Sequence, residues 1–341
     1  MVDDRHRRLA GHLAGSGGCA VSTTTRRTTT EVLEGIDLGG EVILITGGST
    51  GLGFETARAL GAAGASVMIT ARTEEKGEDA IARLRALVPT GDFSYEILEL
   101  GSLDSVRAAA TDIRRRLPRI DVLIANAGIM AVPFGRTEDG FELQFGTNHL
   151  GHFVLIGRLL PSLLLASPSR IVLLSSAGHG MGDIIWDDPN FAGTEYSKME
   201  AYGQSKTANI LHAVELERRH GPRGIHAVAV HPGMVATELG RHFTAEDFAD
   251  IAARAAAAAK ASKPARRGTK GGSSGGGLDL VQPDVGAATT VWAATAAELE
   301  GRGGLYLADC AEATAAPYAT DPDAAARLWA LSEDLVGETF A

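Results

Sequence analysis

Tyr202 and Lys206 stand four residues apart in Tyr202-Gly203-Gln204-Ser205-Lys206, a spacing that puts two side chains on one face of a helix. The pair has a chemical use. A free phenol titrates near ~10 and is a poor proton donor or acceptor at neutral pH. A nearby ammonium favours the phenolate and lowers that value by ~1–3 units, so the phenol can protonate a carbonyl oxygen or take the proton of an alcohol. With five tyrosines and six lysines in 341 residues, chance supplies such a pair about 0.09 times. Tyr196-Ser197-Lys198 has the wrong spacing for the same chemistry; Tyr196 is read instead as lining a substrate entrance.

A second constellation lies upstream. Thr46-Gly47-Gly48-Ser49-Thr50-Gly51-Leu52-Gly53 follows the apolar run Val42-Ile43-Leu44-Ile45 and opens a helix. Glycines there permit a tight turn and close approach of backbone to a pyrophosphate, and the helix N-terminus offers free N–H groups. Any strand-to-helix turn can use glycine. Placed first in a strand–helix series, this one reads as a dinucleotide site with Gly47, Ser49, Thr50, Gly51, Leu52 and Gly53 in contact. The second strand ends Thr70-Ala71-Arg72-Thr73, without the carboxylate that would bind a ribose hydroxyl and repel a 2′-phosphate. Arg72 offers a permanently charged fork suited to that phosphate. The expectation is NADP(H) in preference to NAD(H).

The elements that must position these groups alternate along the chain. Strands are expected at 42–45, 66–70, 95–100, 121–125, 170–174, 225–230 and 304–307. Helices are expected at 54–63, 74–87, 105–117, 141–164, 202–220 and 285–299. The alternation implies βαβ units with right-handed crossovers: an α/β protein, one doubly wound domain over residues 39–341 with a mostly parallel seven-stranded sheet. Residues 1–38 are polar and read as a flexible leader. Two segments break the rhythm, 178–199 and 238–280; the second contains a Gly/Ser-rich linker over 265–277. Both should cover the ligand crevice at the carboxyl ends of the strands.

Composition narrows the class. The chain is 45% hydrophobic and 22% charged with a net charge of −10, which fits a globular enzyme of small molecules and argues against a nucleic-acid partner. Cys19 and Cys310 make no disulfide framework and have no metal-ligand spacing. No apolar run approaches the ~18 residues of a membrane span. Arg7-Arg8 and Gly17-Gly18-Cys19 lack the apolar core of a signal peptide. The expectation is a cytoplasmic protein with no membrane partner.

In this company the chain resembles the short-chain dehydrogenase/reductases, over roughly residues 39–338, and within them the retinol dehydrogenase and protochlorophyllide reductase branch. The resemblance rests on Thr46-Gly47-x-x-x-Gly51-x-Gly53, Asn126-Ala127-Gly128, Thr147-Asn148-His149-Leu150-Gly151-His152, Leu174-Ser175-Ser176, the Tyr202/Lys206 pair and His231-Pro232-Gly233-x-x-x-Thr237. It implies a Rossmann-fold domain and a catalytic set of Asn148, Ser176, Tyr202 and Lys206. Tyr202 would be the acid in reduction and the base in oxidation, and Ser176 would hydrogen-bond the reacting oxygen. Lys206 would lower the Tyr202 pKa and hold the nicotinamide ribose. Asn148 would bind a backbone carbonyl or water in a proton relay. The resemblance also places Glu99 and Leu100 near the adenine, Asn126, Ala127 and Gly128 beside the cofactor, and Pro232, Gly233, Val235 and Thr237 at the nicotinamide. Glu99 stands where the family usually has Asp, and Ala125-Asn126 where it has a double Asn.

The implied reaction is hydride transfer between a nicotinamide and a carbonyl/alcohol pair. Met181, Trp186 and Tyr196 in the first long loop, with Met234 and Leu239 after the sixth strand, suggest a lipophilic ketone or aldehyde as substrate partner. His149, His152 and His231 form no metal set and read as structural. A homodimer is expected through Asn209, Leu211, Val214 and Leu216 on the Tyr202 helix. The alternatives are a non-catalytic NADP(H)-binding regulator, which would have lost the tetrad, and an epimerase or dehydratase on the same fold, which usually carries a larger C-terminal domain.

Overall fold

The computed structural model describes residues 26–233, 235 and 281–341. Seven parallel strands form the sheet: β1 (Val42–Ile45), β2 (Ser66–Ala71), β3 (Asp92–Ile97), β4 (Val122–Ala125), β5 (Ser169–Leu174), β6 (Ile225–His231) and β7 (Leu305–Ala308). A two-residue strand, β8 (Ala311–Glu312), turns back antiparallel on β7, so the sheet has eight strands where seven were expected. Their order is β3-β2-β1-β4-β5-β6-β7-β8. The order reverses between β1 and β4, which opens a crevice at the carboxyl ends of those two strands.

Alternate strand residues feed two cores. Leu44, Met68, Leu123, Ile171 and Ala229 face one side; Ile43, Ile45, Val67, Ile69, Val122, Ile124, Val172 and Val228 face the other. A parallel sheet is buried on both faces, which explains the unbroken apolar runs of β1 and β4. The first side carries α4 (Leu103–Arg116), the long helix α5 (Leu143–Ala166), α6 (Lys198–His220) and α8 (Pro322–Val336). The second carries α1 (Thr29–Val32), α2 (Gly51–Ala62), α3 (Glu74–Leu87) and α7 (Pro283–Thr295).

The structure departs from expectation at several places. Residues 28–38 belong to the domain, not to a flexible leader. Thr28 and Glu31 cap α1 reciprocally, Thr29 donates to the buried Glu55 at 2.6 Å, and Val32 and Leu38 are buried against α2 and α7. The strand expected at 95–100 runs instead from Asp92 to Ile97. Helix α8 was not anticipated, although Asp321 caps it, Pro322 opens it and Ala325, Leu328, Trp329, Ser332 and Val336 make a buried stripe.

Helix α8 also closes one side of the domain. It lies on α6, with the Arg219 guanidinium 4.5 Å from the Trp329 ring centre and Ser332 hydrogen-bonded to His149 at 2.8 Å. Leu211 and Leu216 are fully buried and Asn209 nearly so. Asn209 donates to the Leu174 carbonyl, so three of the four residues expected to meet a second copy face the domain's own interior. One helix, α5, is long and apolar enough by length and mean composition to span a membrane, although polar residues interrupt it, and 78% of its apolar window is buried inside the domain. The segments 1–25 and 236–280, with Cys19 and all of the second expected loop, lie outside the described residues.

Deleting residues 1–38 removes the cover provided by Val32, Leu33, Ile36 and Leu38. Burial of such side chains contributes ~1.5–3 kcal/mol each. The shortened chain should lose at least ~3 kcal/mol and melt roughly 6–12 °C lower. Unchanged melting would return these residues to the leader.

Candidate active site

The glycine turn is shaped by its neighbours. Gly47 and Gly51 have φ of +66° and +59°, a left-handed conformation that glycine adopts without strain. A methyl at Gly47 would stand 2.9 Å from Ala127 Cβ, and one at Gly53 would stand 2.4 Å from the Gly47 carbonyl oxygen and 2.5 Å from Asn126 Nδ2. Asn126 Nδ2 donates to the carbonyls of Thr46 (2.8 Å) and Gly47 (3.2 Å). Thr50 caps α2 without a side-chain hydrogen bond, which leaves the first N–H groups directed at the crevice for a phosphate. Helix α2 begins at Gly51, three residues before the expected start.

The rest of the expected cofactor set divides. Arg72 is exposed at the end of β2 and forms no ion pair among the described residues. Gly128 lies beside the reactive groups: a methyl there would be 3.0 Å from Asn148 Oδ1 and 3.5 Å from Lys206 Nζ. His231 Nδ1 accepts the N–H groups of Ala177 (3.3 Å) and Gly233 (3.4 Å), joining the turns after β5 and β6. Val235 and Leu52 converge on Gly286 of α7. Glu99 is partly committed elsewhere, since its carboxylate accepts the N–H of Gly101 at 2.9 Å. The Leu100 side chain is buried in the core beneath Gly151. Met234, Thr237 and Leu239 lie outside the described residues. Uncapped helix N–H groups, turns that exclude a Cβ and an unpaired cation fit a phosphorylated dinucleotide.

The four reactive residues come from three elements, Tyr202 and Lys206 sharing α6, and meet at the carboxyl end of the sheet. Asn148 sits in a π-helical segment of α5, Gly146–Leu150, a conformation uncommon outside functional sites. It is fully buried. Its Oδ1 accepts from Ile129 N (2.8 Å), and its Nδ2 donates to Ile129 O (3.0 Å) and Ser205 Oγ (2.9 Å). The backbone carbonyl expected for Asn148 is thus that of Ile129. Lys206 Nζ donates to the Leu174 carbonyl at 3.0 Å, an oxygen shared with Asn209 Nδ2 at 2.9 Å. Ser176 follows the end of β5, and its hydroxyl accepts the Gly178 N–H at 3.0 Å.

The electrostatics differ from expectation. Burial pushes the Tyr202 phenol up to about 12, and the neighbouring Ser176 hydroxyl offsets this only in part. Burial also pushes the Lys206 ammonium down to about 8, and its Nζ lies 5.7 Å from the Tyr202 ring centre. Desolvation is the largest influence, so the phenol is raised where a lowering was expected. At neutral pH Tyr202 is a protonated donor beside Ser176. That arrangement can protonate a carbonyl oxygen while the Ser176 hydroxyl stabilises the charge developing there.

The loop over 178–199 is tied down at many points. Gln204 accepts from Ile185 N and donates to the Pro189 carbonyl, both at 2.9 Å. Asp188 accepts three backbone N–H groups, from Ala192, Gly193 and Thr194. Of the expected substrate residues, Met181 reaches the space beside Gly178, which itself abuts the Tyr202 ring. Trp186 packs instead under the Arg327 guanidinium of α8, 4.3 Å away. The Tyr196 hydroxyl is 3.1 Å from both Val132 O and Glu142 Oε1, so it fastens the loop and is not presented to a ligand.

His179 was missed as a support of the site. Its Nδ1 is 2.7 Å from the Ser176 carbonyl and its Nε2 accepts the Ala316 N–H at 3.0 Å. The catalytic serine's turn is thereby clamped to chain beyond β8, a link that no local spacing announces. Among the described residues no group of His, Cys, Asp and Glu could hold a metal.

The comparisons agree with this geometry. The short chain dehydrogenase family matches residues 41–247. The chain is 39% identical over 308 residues to short-chain dehydrogenase/reductase prx1 of Penicillium roqueforti, covering 86% of this chain and 84% of that protein. It is 38% identical over 315 residues to human retinol dehydrogenase 14, covering 87% of each. Among solved structures, an uncharacterised protein from Mycobacterium paratuberculosis superposes with a TM-score of 0.71 at 33% identity, over 93% of this chain and 100% of that one. The Pseudomonas aeruginosa RhlG/NADP complex superposes with a TM-score of 0.57 at 27% identity, over 80% and 95%. The chain belongs to the short-chain dehydrogenase/reductase family, in its retinol dehydrogenase-like branch, and is an oxidoreductase acting on CH–OH and C=O groups.

Proposed function

We propose that this enzyme reduces a lipophilic ketone or aldehyde to its alcohol with NADPH, and that Asn148, Ser176, Tyr202 and Lys206 carry the reaction. The bound nicotinamide supplies the hydride. Tyr202 gives its proton to the carbonyl oxygen as the Ser176 hydroxyl holds that oxygen in place. Lys206 has one backbone acceptor at Leu174, which leaves N–H groups to hold the nicotinamide ribose. The observation that carries the assignment is the buried Tyr202 phenol placed beside Ser176, with Lys206 on the same helix. Arg72, exposed and without an ion pair among the described residues, carries the preference for a 2′-phosphate; the RhlG complex with NADP offers a related precedent. Met181 beside Gly178 supports an apolar substrate, as do relatives named as retinol dehydrogenases. The assembled tetrad favours turnover over a purely regulatory role.

Tyr202→Phe should lower kcat by ~10²- to 10⁴-fold and leave NADPH binding unchanged; full turnover in this variant would overturn the assignment. Arg72→Glu should raise the KM for NADPH about 10-fold or more while leaving that for NADH nearly unchanged. Equal use of both cofactors by the unaltered enzyme would contradict the preference.

The pH dependence separates the two directions. A phenol raised to about 12 is protonated throughout pH 6–8, so carbonyl reduction should be flat with respect to this group. Alcohol oxidation needs the phenolate, whose fraction rises about tenfold per pH unit below the pKa. Its kcat/KM should climb with a slope near one, and an oxidation rate independent of pH in this window would rule Tyr202 out as the base.

A further inference from the structure

His152 lies four residues after Asn148 on α5 and is almost fully buried. Its Nδ1 is 3.0 Å from the Asn148 backbone carbonyl, and its Nε2 is 2.8 Å from Thr46 Oγ1. The protons in this arrangement can be assigned. A carbonyl only accepts, so Nδ1 carries the hydrogen. Thr46 Oγ1 already accepts the N–H groups of Asn126 (2.9 Å) and Ala127 (3.0 Å), which uses both of its lone pairs. Its own hydrogen must therefore go to His152 Nε2. The imidazole is neutral in one tautomer, and burial holds it down at about 4, against protonation. Every polar atom in the chain from Ala127 N–H to the Asn148 carbonyl has a partner.

We propose that His152 is a positioning residue that couples the cofactor floor to the reacting groups, holding the π-helical turn of Asn148 with one ring nitrogen and the Thr46 junction with the other. The proposal rests on the reading of Asn148, Tyr202 and Lys206 as the reacting set. Thr46 immediately precedes Gly47, and its hydroxyl organises the Asn126-Ala127-Gly128 turn that flanks the crevice. Asn148 in turn holds Ser205 beside Lys206. A histidine is suited to this span because its two nitrogens lie at different distances from the backbone. An asparagine amide reaches only as far as Nδ1 and a glutamine amide only as far as Nε2.

That difference supplies the test. His152→Gln can still accept the Thr46 hydrogen but gives no donor to the Asn148 carbonyl. It should keep the NADPH Kd, read by fluorescence, within ~2-fold and lower kcat at saturating NADPH by about 5- to 10-fold, the worth of one such hydrogen bond. His152→Asn keeps the donor to Asn148 and strands the Thr46 hydroxyl. It should keep kcat at saturating NADPH within ~2-fold and weaken NADPH binding by about 5- to 10-fold. Opposite effects of the two variants support the coupling. Parallel losses that follow the melting temperature, or wild-type values for both, overturn it. Failure of the underlying reading looks different: the unaltered enzyme binds NADPH but Tyr202→Phe turns over normally.

Discussion

The Thr46 hydroxyl joins three parts of the molecule at the point where the strand order reverses. It receives the N–H groups of Asn126 and Ala127 from the turn after β4 and meets His152 of α5. The strands β1 and β4 are neighbours in the sheet, but their chain directions alone do not align the turns that follow them. Asn126 adds a second tie by donating to the Thr46 and Gly47 carbonyls. Gly47 and Gly53 are then required to lack side chains, because Ala127 fills the space a Cβ would take at the first, and the Gly47 carbonyl with Asn126 fills it at the second. Cofactor floor and reacting groups are set against each other before any ligand arrives, which is the preorganisation that electrostatic catalysis needs.

The same end of the sheet is dry. Tyr202 and Lys206 are buried in a helix packed on two sides, by the sheet below and by the loop over 178–199 above. Low polarity disfavours charge on both groups, raising the phenol and lowering the ammonium. A tyrosine kept protonated in this way is a donor waiting for an oxygen. A lysine with a single backbone acceptor at Leu174 has hydrogen-bonding capacity left for the cofactor.

Much of this was legible in the sequence because it is written locally. The glycine turn, the helix-spaced Tyr202 and Lys206, and the apolar runs of β1 and β4 each announce themselves within a few residues. What escaped depends on contacts far apart in the chain. His179 reaches Ala316 across 137 positions, and His149 reaches Ser332 across 183. The misread role of Tyr196 has the same origin, since its partners Val132 and Glu142 come from another loop. Other misses were legible but outweighed. Thr28 and Glu31 form a capping box inside a segment whose composition suggests a leader, and Asp321-Pro322 marks a helix start after the sheet is complete. The sign of the Tyr202 shift could not be read from spacing, because four residues of separation reveal a neighbouring charge but not how dry its surroundings are.

Burial keeps the Tyr202 phenol protonated and ready to donate. Titrating tyrosinate absorbance in the unaltered enzyme and in Tyr202→Phe, and taking the difference, reads that one group among five tyrosines. Tyr202 should show no ionisation below about pH 11 while the fold persists, in line with a phenol raised to about 12. A difference signal titrating near pH 8 would show the ammonium outweighing burial and would contradict that expectation.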